Sequence, residues 1–315
     1  MPSILVIINP IAGRGRVKKH WQDVRQGLIE AGIEFDLAET SSPLEAISIA
    51  QQAATKYKTV IAVGGDGTIH EVVNGLLRAS KELETIALGV IPLGNGDDFA
   101  KMIPPQTAIG GKVFDWREAI NKISKAQTML FDVGRMSDTQ LNLENNNFPH
   151  YFMNGMDIGF GAQAALNFIK VPKFLSGMAA YLAAIMKTLV DYQIPEVTIQ
   201  IDDQAPFKQS TTMTAITNGR CFGSGFWVCP NAEIDDGLLD VMVADGIGRL
   251  RIMGLIPKIT KGTHLNEPIL SNHQARRVLI DSEKPFVVEA DGEIPYSQTR
   301  HLEIQILKRR LRVIV

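Results

Sequence analysis

The first third of the chain alternates short apolar runs with segments whose apolar residues recur at helical spacing. The apolar runs are SILVIIN, TVIAV and IALGVIP, and the helical patterns lie around residues 21–31 and 69–78. Strands that are apolar throughout and separated by helices are typical of a parallel sheet covered on both faces. The pattern therefore predicts an α/β domain over residues 1–127.

The pattern changes after a third helical segment at residues 116–123. Eight runs, from TMLFDVGRM to HLEIQIL, are predicted to be mostly strands without intervening helices. Such spacing indicates an all-β sandwich or barrel over residues 128–315, with the boundary near Gln127 and a C-terminal tail that could return to the first domain.

The longest apolar stretch, residues 174–190, is shorter than the ~20 apolar residues that span a bilayer. We expect it to form a buried helix, the alternative being a segment resting on a membrane.

Composition narrows the classes of function. A chain of 315 residues with 45% hydrophobic content can form two packed domains. A net charge of -2 gives no long-range field for a polyanion, which disfavours nucleic acid as a partner. The two cysteines, Cys221 and Cys229, match no zinc spacing, and the N-terminus lacks the apolar length of a signal peptide. These features favour a reducing, cytoplasmic setting.

The segment VGGDGTIHE, residues 63–71, joins a buried strand to an amphipathic helix. Its three glycines allow positive φ angles and a close approach of the backbone to a ligand. Thr68 and Glu71 have the spacing of a capping box at the helix N-terminus. An exposed helix N-terminus can bind phosphate, and Asp66 could position a phosphate-bound Mg²⁺. The alternative is a tight turn with no ligand.

Two more glycine-containing turns follow predicted strands, NPIAGRG at residues 9–15 and PLGNGDDFA at residues 92–100. Because parallel strands end at one edge of a sheet, three such turns predict a phosphate cradle. The chain has no G-x-x-x-x-G-K-[ST] motif. GFGAQA at residues 159–164 fits G-x-G-x-x-A, but no acidic residue lies about 20 positions further on, so we interpret the match as chance.

These motifs, together with NGR…CPNAEIDDGLLD and DGE, resemble the diacylglycerol kinase catalytic-domain family in order and approximate spacing. The soluble bacterial lipid kinases are the most similar group. The resemblance implies transfer of phosphate from ATP, with Mg²⁺, to a lipid hydroxyl. It also implies a first domain like that of phosphofructokinase and NAD kinase, a β-sandwich second domain, and an active site in the cleft between them.

The resemblance assigns roles to individual positions. Asp291 in EADGEI would be the general base, although Asp-Gly is also a favoured hairpin turn. A structural divalent cation would bind the Asp236 side chain and the backbone oxygens of Glu233 and Leu238, the alternative being a turn without metal. The ATP site would comprise Asn9, Pro10, Gly13, Thr40, Gly65, Asp66, Gly67, Thr68, Glu71 and Asn95.

One motif departs from the family pattern, which usually reads LGTGND. This chain has LGNGDD at residues 93–98. Asn95 can donate a hydrogen bond where threonine would, but Asp97 adds a carboxylate. A carboxylate within ~5 Å of phosphate costs on the order of a few kcal/mol unless a cation intervenes. We therefore expect weaker nucleotide affinity or activity.

The expected acceptor is diacylglycerol, giving phosphatidic acid, with sphingoid base, ceramide and phosphatidylglycerol as open alternatives. The partners are then ATP and a lipid at a membrane surface, through transient peripheral association. Phe222, Phe226 and Trp227 either dip into the lipid or pack beneath their loop.

An NAD kinase-like enzyme and a nucleotide sensor without turnover remain alternative functions, although Asn154 lies in NGMD rather than in the Asn-Glu pair of NAD kinases. A homodimer is compatible with the sequence.

Overall fold

Strands and helices alternate over the first part of the chain. The computed structural model describes residues 2–80, 83–140, 149–171, 178–223 and 225–315, with the side chains of 178–182 excluded. The elements in this part are β1 (Ile4–Ile8), α1 (Ala12–Glu30), β2 (Asp36–Glu39), α2 (Glu45–Ala53), β3 (Thr59–Gly64), α3 (Asp66–Ser80), β4 (Ala87–Pro92), a 3₁₀ turn (Ala100–Met102) and α4 (Trp116–Lys125).

The first four strands form a parallel sheet in the order β2-β1-β3-β4. Alternate residues of one strand point to opposite faces. Leu5 and Ile7 of β1 therefore pack in the core that contains α2 and α3, whereas Val6 and Ile8 pack in the core that contains α1 and α4. The predicted parallel sheet with helices on both faces is confirmed, and the fully apolar strands are explained by burial on both sides.

Strands dominate the second part of the chain. Its elements are β5 (Thr128–Asp138), β6 (His150–Phe152), β7 (Gly155–Gly159), α5 (Phe160–Phe168), α6 (Met178–Asp191), β8 (Glu196–Ile201), β9 (Phe207–Thr217), β10 (Leu239–Asp245), α7 (Arg249–Thr260), β11 (Leu270–Ala275), β12 (Arg277–Ala290) and β13 (Glu293–Ile314). These strands pair antiparallel with one another, in the order β11-β10-β9-β7-β12-β13, with β8 beside β9 and β12.

The expectation of strands without intervening helices is wrong for α5 and α7, which lie among the strands in addition to the predicted helix α6. The three helices pack together through an apolar cluster that includes Phe160, Leu189 and Ile252. The predicted helix in the long apolar stretch is present as α6, while residues 172–177 lie outside the described part. Its burial is only partial, because Met186 and Val190 are exposed. Within the described residues, no helix has both the length and the hydropathy needed to cross a membrane.

The last strand connects the two parts of the chain. β13 is 22 residues long; its first half pairs with β12, and it also runs antiparallel to β5. Near its end, Val313 pairs in parallel with Leu88 of β4, so the chain finishes inside the sheet of the first part. Leu311 and Val313 are fully buried there, so the C-terminal tail forms part of a buried strand. The positions of the two domains are thus fixed by one continuous backbone segment.

Gly134 provides a test of packing in this connecting region. It pairs directly with Phe152 across β5 and β6, and a Cβ at Gly134 would lie 2.0 Å from Phe152 Cζ. Because Phe152 is fully buried and cannot move into solvent, Gly134→Ala is expected to lower the free energy of unfolding by roughly 1–3 kcal/mol. Urea denaturation measures this change.

Gly254→Ala is the matched control. Gly254 lies in α7, and a Cβ at this position would have no neighbouring atom within 4 Å, so alanine is expected to be neutral or stabilising by up to about 1 kcal/mol. Equal effects of the two substitutions would contradict the packing explanation.

Candidate active site

A polar cavity lies where three glycine-containing turns of the first part face the turn between β12 and β13. Of the predicted site residues, the cavity is lined by Asn9, Gly13, Gly65, Asp66, Gly67, Thr68, Glu71, Asn95 and Asp291. Pro10 and Thr40 are not among its lining residues. Thr40 lies at the end of β2, where its N–H and Oγ1 both donate to the Ile8 carbonyl, at 2.9 and 3.4 Å.

Close backbone contacts hold the glycine turns together. A Cβ at Gly65 would lie 2.8 Å from Gly94 Cα, so the turns after β3 and β4 touch at two glycines. Gly13 has a φ of 59°, and a Cβ there would lie 2.0 Å from the Leu93 carbonyl oxygen. Arg16 also donates to the Gly94 carbonyl. The three turns therefore form one surface, and no side chain larger than hydrogen fits at Gly13 or Gly65 without displacing backbone.

The predicted capping box at Thr68 and Glu71 is wrong. α3 begins at Asp66, so Thr68 lies inside the helix and packs against Gly64. Glu71 instead accepts hydrogen bonds from the N–H groups of Leu44 and Ala46, both at 3.1 Å. Its carboxylate thus satisfies the N-terminus of α2, a neighbour in space that local sequence spacing does not indicate.

The Asp97 carboxylate accepts a hydrogen bond within its own turn. Its Oδ1 accepts the Gly94 N–H at 2.8 Å, its φ is 50°, and it does not line the polar cavity. Burial raises the pKa of Asp97, whereas the Gly94 hydrogen bond and the charges of Arg16 and Lys101 lower it. The carboxylate that departs from the family pattern therefore accepts a hydrogen bond within the turn and is not part of the cavity lining.

Two carboxylates at the polar cavity would suit a magnesium ion that phosphate oxygens also coordinate. Asp66 and Asp98 both line the polar cavity; Asp66 accepts the Phe99 N–H at 3.1 Å, and Asp98 accepts Lys101 Nζ at 2.6 Å. Burial and then the charge of Asp98 raise the pKa of Asp66 to about 7. No group of three protein ligands occurs among the described residues. One or two carboxylates completed by phosphate oxygens is the arrangement that Mg²⁺ usually takes.

Asp291 is held by hydrogen bonds on both carboxylate oxygens. Oδ1 accepts the N–H groups of Asn154 and Gly155 at 3.0 and 3.1 Å. Oδ2 accepts the Met153 N–H at 2.7 Å and faces His70 Nδ1 at 3.3 Å. The carboxylate is almost completely buried yet lines the polar cavity. Its position is consequently fixed before any ligand binds.

His70 joins this network from the first part of the chain. Asn74 Nδ2 lies 3.3 Å from His70 Nε2 and also donates to the Tyr151 carbonyl at 3.1 Å. If Nε2 accepts from Asn74, the ring proton is on Nδ1 and is donated to Asp291. α3 thus contacts both Asp291 and β6.

His70, Asp98 and Asn154 are not among the predicted site residues, and Glu293 was included only as part of the DGE motif. Asp98 and Glu293 stand in motifs that carry the family resemblance and could have been found there. A single histidine on an amphipathic helix gives no such signal. Burial, followed by the charges of Glu71 and Asp291, raises the pKa of Glu293, whereas His70 lowers it.

The predicted structural cation site lies in a turn before β10. Glu233 and Asp236 are exposed, and Asp236 Oδ1 accepts the Leu238 N–H at 2.9 Å. Burial and then the Asp236 charge raise the pKa of nearby Asp240 to about 6, whereas a hydrogen bond with Gln274 lowers it. The buried Oδ2 of Asp240 has no hydrogen-bond partner among the described residues. A cation here would compensate these charges; the ligand set itself stays a prediction.

A second, apolar cavity adjoins the polar one, and Phe222, Gly223 and Gly292 line both. The other lining residues are mostly apolar, including Phe160, Ile185, Met213, Met242, Ile252 and Ile256. Phe222 and Trp227 are buried, so the aromatic loop packs against the protein.

Two paired carboxyl groups, Asp157 and Glu289, also line the apolar cavity. Burial raises the pKa of both carboxyl groups, and the Asp157 charge raises that of Glu289 further. Asp157 also accepts the Ala162 N–H at 2.6 Å, at the start of α5.

Two family models match the chain. Residues 3–136 match the diacylglycerol kinase catalytic domain, and residues 156–315 match the YegS C-terminal NAD kinase beta sandwich-like domain. Among solved structures, a diacylglycerol kinase from Bacillus anthracis aligns with a TM-score of 0.69 at 22% identity, covering 99% of this chain and 96% of that one. This similarity supports the two-part fold.

Curated relatives have different acceptors in their names. The chain is 27% identical over 294 residues to a diacylglycerol kinase of Bacillus subtilis, covering 93% of this chain and 90% of the relative. It is 26% identical over 334 residues to sphingosine kinase 1 of Arabidopsis thaliana, covering 93% and 68%. With both family models matched in order, the chain belongs to the family that joins a diacylglycerol kinase catalytic domain to a YegS-type, NAD kinase-like β-sandwich domain.

Proposed function

We propose that the protein is an ATP-dependent lipid kinase that transfers the γ-phosphate to the hydroxyl of diacylglycerol, giving phosphatidic acid. One observation carries the proposal: Asp291 is fixed at the polar cavity beside the glycine turns, and the next residue, Gly292, also lines the apolar cavity. A phosphoryl donor and an apolar acceptor can therefore meet at one carboxylate. The names of the relatives agree with this reaction class.

The glycine turns would bind the triphosphate. Gly65, Gly67, Gly94 and Gly96 line the cavity and have no side chain that would block phosphate, and the start of α3 offers a helix N-terminus to it. Asn9 and Asn95 add amide donors at its edge. Phosphoryl transfer needs little covalent chemistry from the protein, so positioning and neutralisation of charge are the main contributions.

A magnesium ion bound with ATP would be held by Asp66 and Asp98. Bound there, it would neutralise charge on the phosphate oxygens. A second, structural cation is proposed at Asp236 with the backbone oxygens of Glu233 and Leu238. The raised pKa of Asp240 and its unpartnered oxygen support a cation in that turn.

Asp291 would accept the proton of the attacking hydroxyl. A carboxylate has about four lone-pair sites, and four donors already face Asp291. The His70 contact is the longest of the four, at 3.3 Å, so the acceptor hydroxyl would take its place. The three backbone N–H groups then keep the carboxylate oriented while the proton moves to Oδ2.

The first test of this function is ADP release from ATP and Mg²⁺ with micellar lipids. Diacylglycerol is expected to give the highest kcat/KM among diacylglycerol, sphingoid base, ceramide and phosphatidylglycerol, because several of the relatives are named diacylglycerol kinase. NAD serves as the control acceptor. Turnover on NAD alone would replace the proposal with an NAD kinase-like activity, and ATP binding without turnover on any acceptor would favour a nucleotide sensor.

The second prediction concerns Asp291→Asn. The amide cannot accept a proton, so kcat is expected to fall roughly 10²–10⁴-fold while the Kd for ATP changes little. Asp202→Asn is the matched control, since Asp202 also has a φ of 48° and accepts backbone N–H groups, from Arg276 and Arg277, in an exposed turn. Full activity of Asp291→Asn would remove Asp291 from the role of base.

A further prediction tests whether Asp97 affects the affinity for ATP. Asparagine can still accept the Gly94 N–H, so Asp97→Asn is expected to leave the Kd for ATP within about threefold, well below one kcal/mol. Gly65→Ala is the contrasting variant: its Cβ must displace Gly94, and the Kd is expected to rise on the order of tenfold or more. Calorimetric titration measures both. Markedly tighter ATP binding by Asp97→Asn would show that Asp97 does repel phosphate.

A further inference from the structure

The outward face of α7 is apolar where a surface helix is normally polar. Leu250, Met253, Gly254 and Pro257 are all exposed and follow the spacing i, i+3, i+4, i+7. The opposite face, with Ile252 and Leu255, is buried in the protein. A helix that is apolar on both faces normally has a second apolar surface to cover it. Leu250 is 85% exposed.

The neighbouring helices continue this surface. Phe168 and Ile169 are exposed at the end of α5, and Met186 and Val190 are exposed one turn apart on α6. Arg249 donates to the Val190 carbonyl at 2.7 Å, which brings the start of α7 against the end of α6. We define the apolar helical surface as these four residues together with Leu250 and Met253. Its area is contributed by three packed helices rather than by scattered single residues.

This surface adjoins the apolar cavity. Phe168 and Ile169 belong to both, and Ile252 and Ile256, on the inner side of α7, line the cavity with them. A lipid leaving a bilayer at this surface would reach the cavity without its chains crossing water. The cavity in turn meets the polar cavity at Phe222 and Gly292.

The charges around this surface favour an anionic lipid bilayer over a second copy of the chain as the partner. α5 carries no charged residue; the exposed Lys170, Lys187, Arg249 and Arg251 follow or flank the apolar residues, against Asp191 at the end of α6. Basic residues beside an apolar helix face are typical of contact with anionic lipid headgroups. A second copy of the chain would bring like charges together at this surface.

We propose that the apolar helical surface docks on an anionic lipid bilayer and that α7 lies in the interface with Leu250 and Met253 among the acyl chains. The inference rests on the proposed lipid kinase function, whose acceptor would enter the apolar cavity from that bilayer.

Vesicle flotation tests the docking. The probe is vesicles of phosphatidylcholine and phosphatidylglycerol in equal amounts, with phosphatidylcholine alone for comparison. The double variant Leu250→Ser, Met253→Ser is expected to bind at least about tenfold more weakly than the unmodified chain, because two large apolar side chains lose their insertion. Binding of the unmodified chain should fall without phosphatidylglycerol and in high salt. Leu83→Ser is the matched control, since Leu83 is 73% exposed in the other domain.

Three results would overturn the docking: no flotation of the unmodified chain, equal loss in Leu83→Ser, or a dimer in light scattering that the double variant dissociates.

Activity measurements distinguish a failure of the docking proposal from a failure of the proposed kinase function. The double variant should keep the kcat/KM of the unmodified chain on a dispersed short-chain diacylglycerol and lose about tenfold on vesicle-borne lipid. Absence of turnover on both substrates, with flotation intact, would reject the kinase function and leave the docking surface.

Discussion

The hydrogen bonds to Asp291 are the constraint on which the geometry of the site depends. Its carboxylate joins the β12–β13 turn to the backbone of residues 153–155 and to His70 on α3. Removing that anion would leave several buried N–H groups without acceptors, which is more costly than losing one exposed hydrogen bond. The two domains therefore meet at a charge that is itself available to the cavity. Structural and chemical demands fall on the same side chain.

Rigidity of the three glycine turns comes from backbone contacts. Gly65 against Gly94, and Gly13 against Leu93, leave no room for a Cβ, so the three turns keep one relative position. Asp97 and Glu71 complete this arrangement by accepting N–H groups in turns and helix ends. Acidic residues that the sequence alone would assign to phosphate or metal thus accept hydrogen bonds from backbone N–H groups.

Much of the first domain follows from the sequence because its signals are local. Fully apolar strands, helical spacing and glycine turns predicted the parallel sheet. Most of the residues predicted for the ATP site line one cavity in the structure. The roles of Glu71 and Asp97 were predicted less well because their partners are set by tertiary contact; Glu71 binds N–H groups more than 20 positions away in the chain. Helices α5 and α7 were missed for a related reason. Both are short and apolar on more than one face, so periodicity did not distinguish them from strands.

The β12–β13 hairpin lies where the polar and apolar cavities meet. Ala290 pairs with Glu293, and the two residues between them have φ angles of 48° and 93°, as a two-residue turn requires. Two positions before Asp291, Glu289 lies beside Asp157 in the apolar cavity. A few residues of one hairpin thus contact both cavities. With the proposed function, the residues beside the acceptor head would belong to β7, β12 and α5, whereas the glycine turns of the first domain line the polar cavity alone. A change of acceptor would then require no change in those turns.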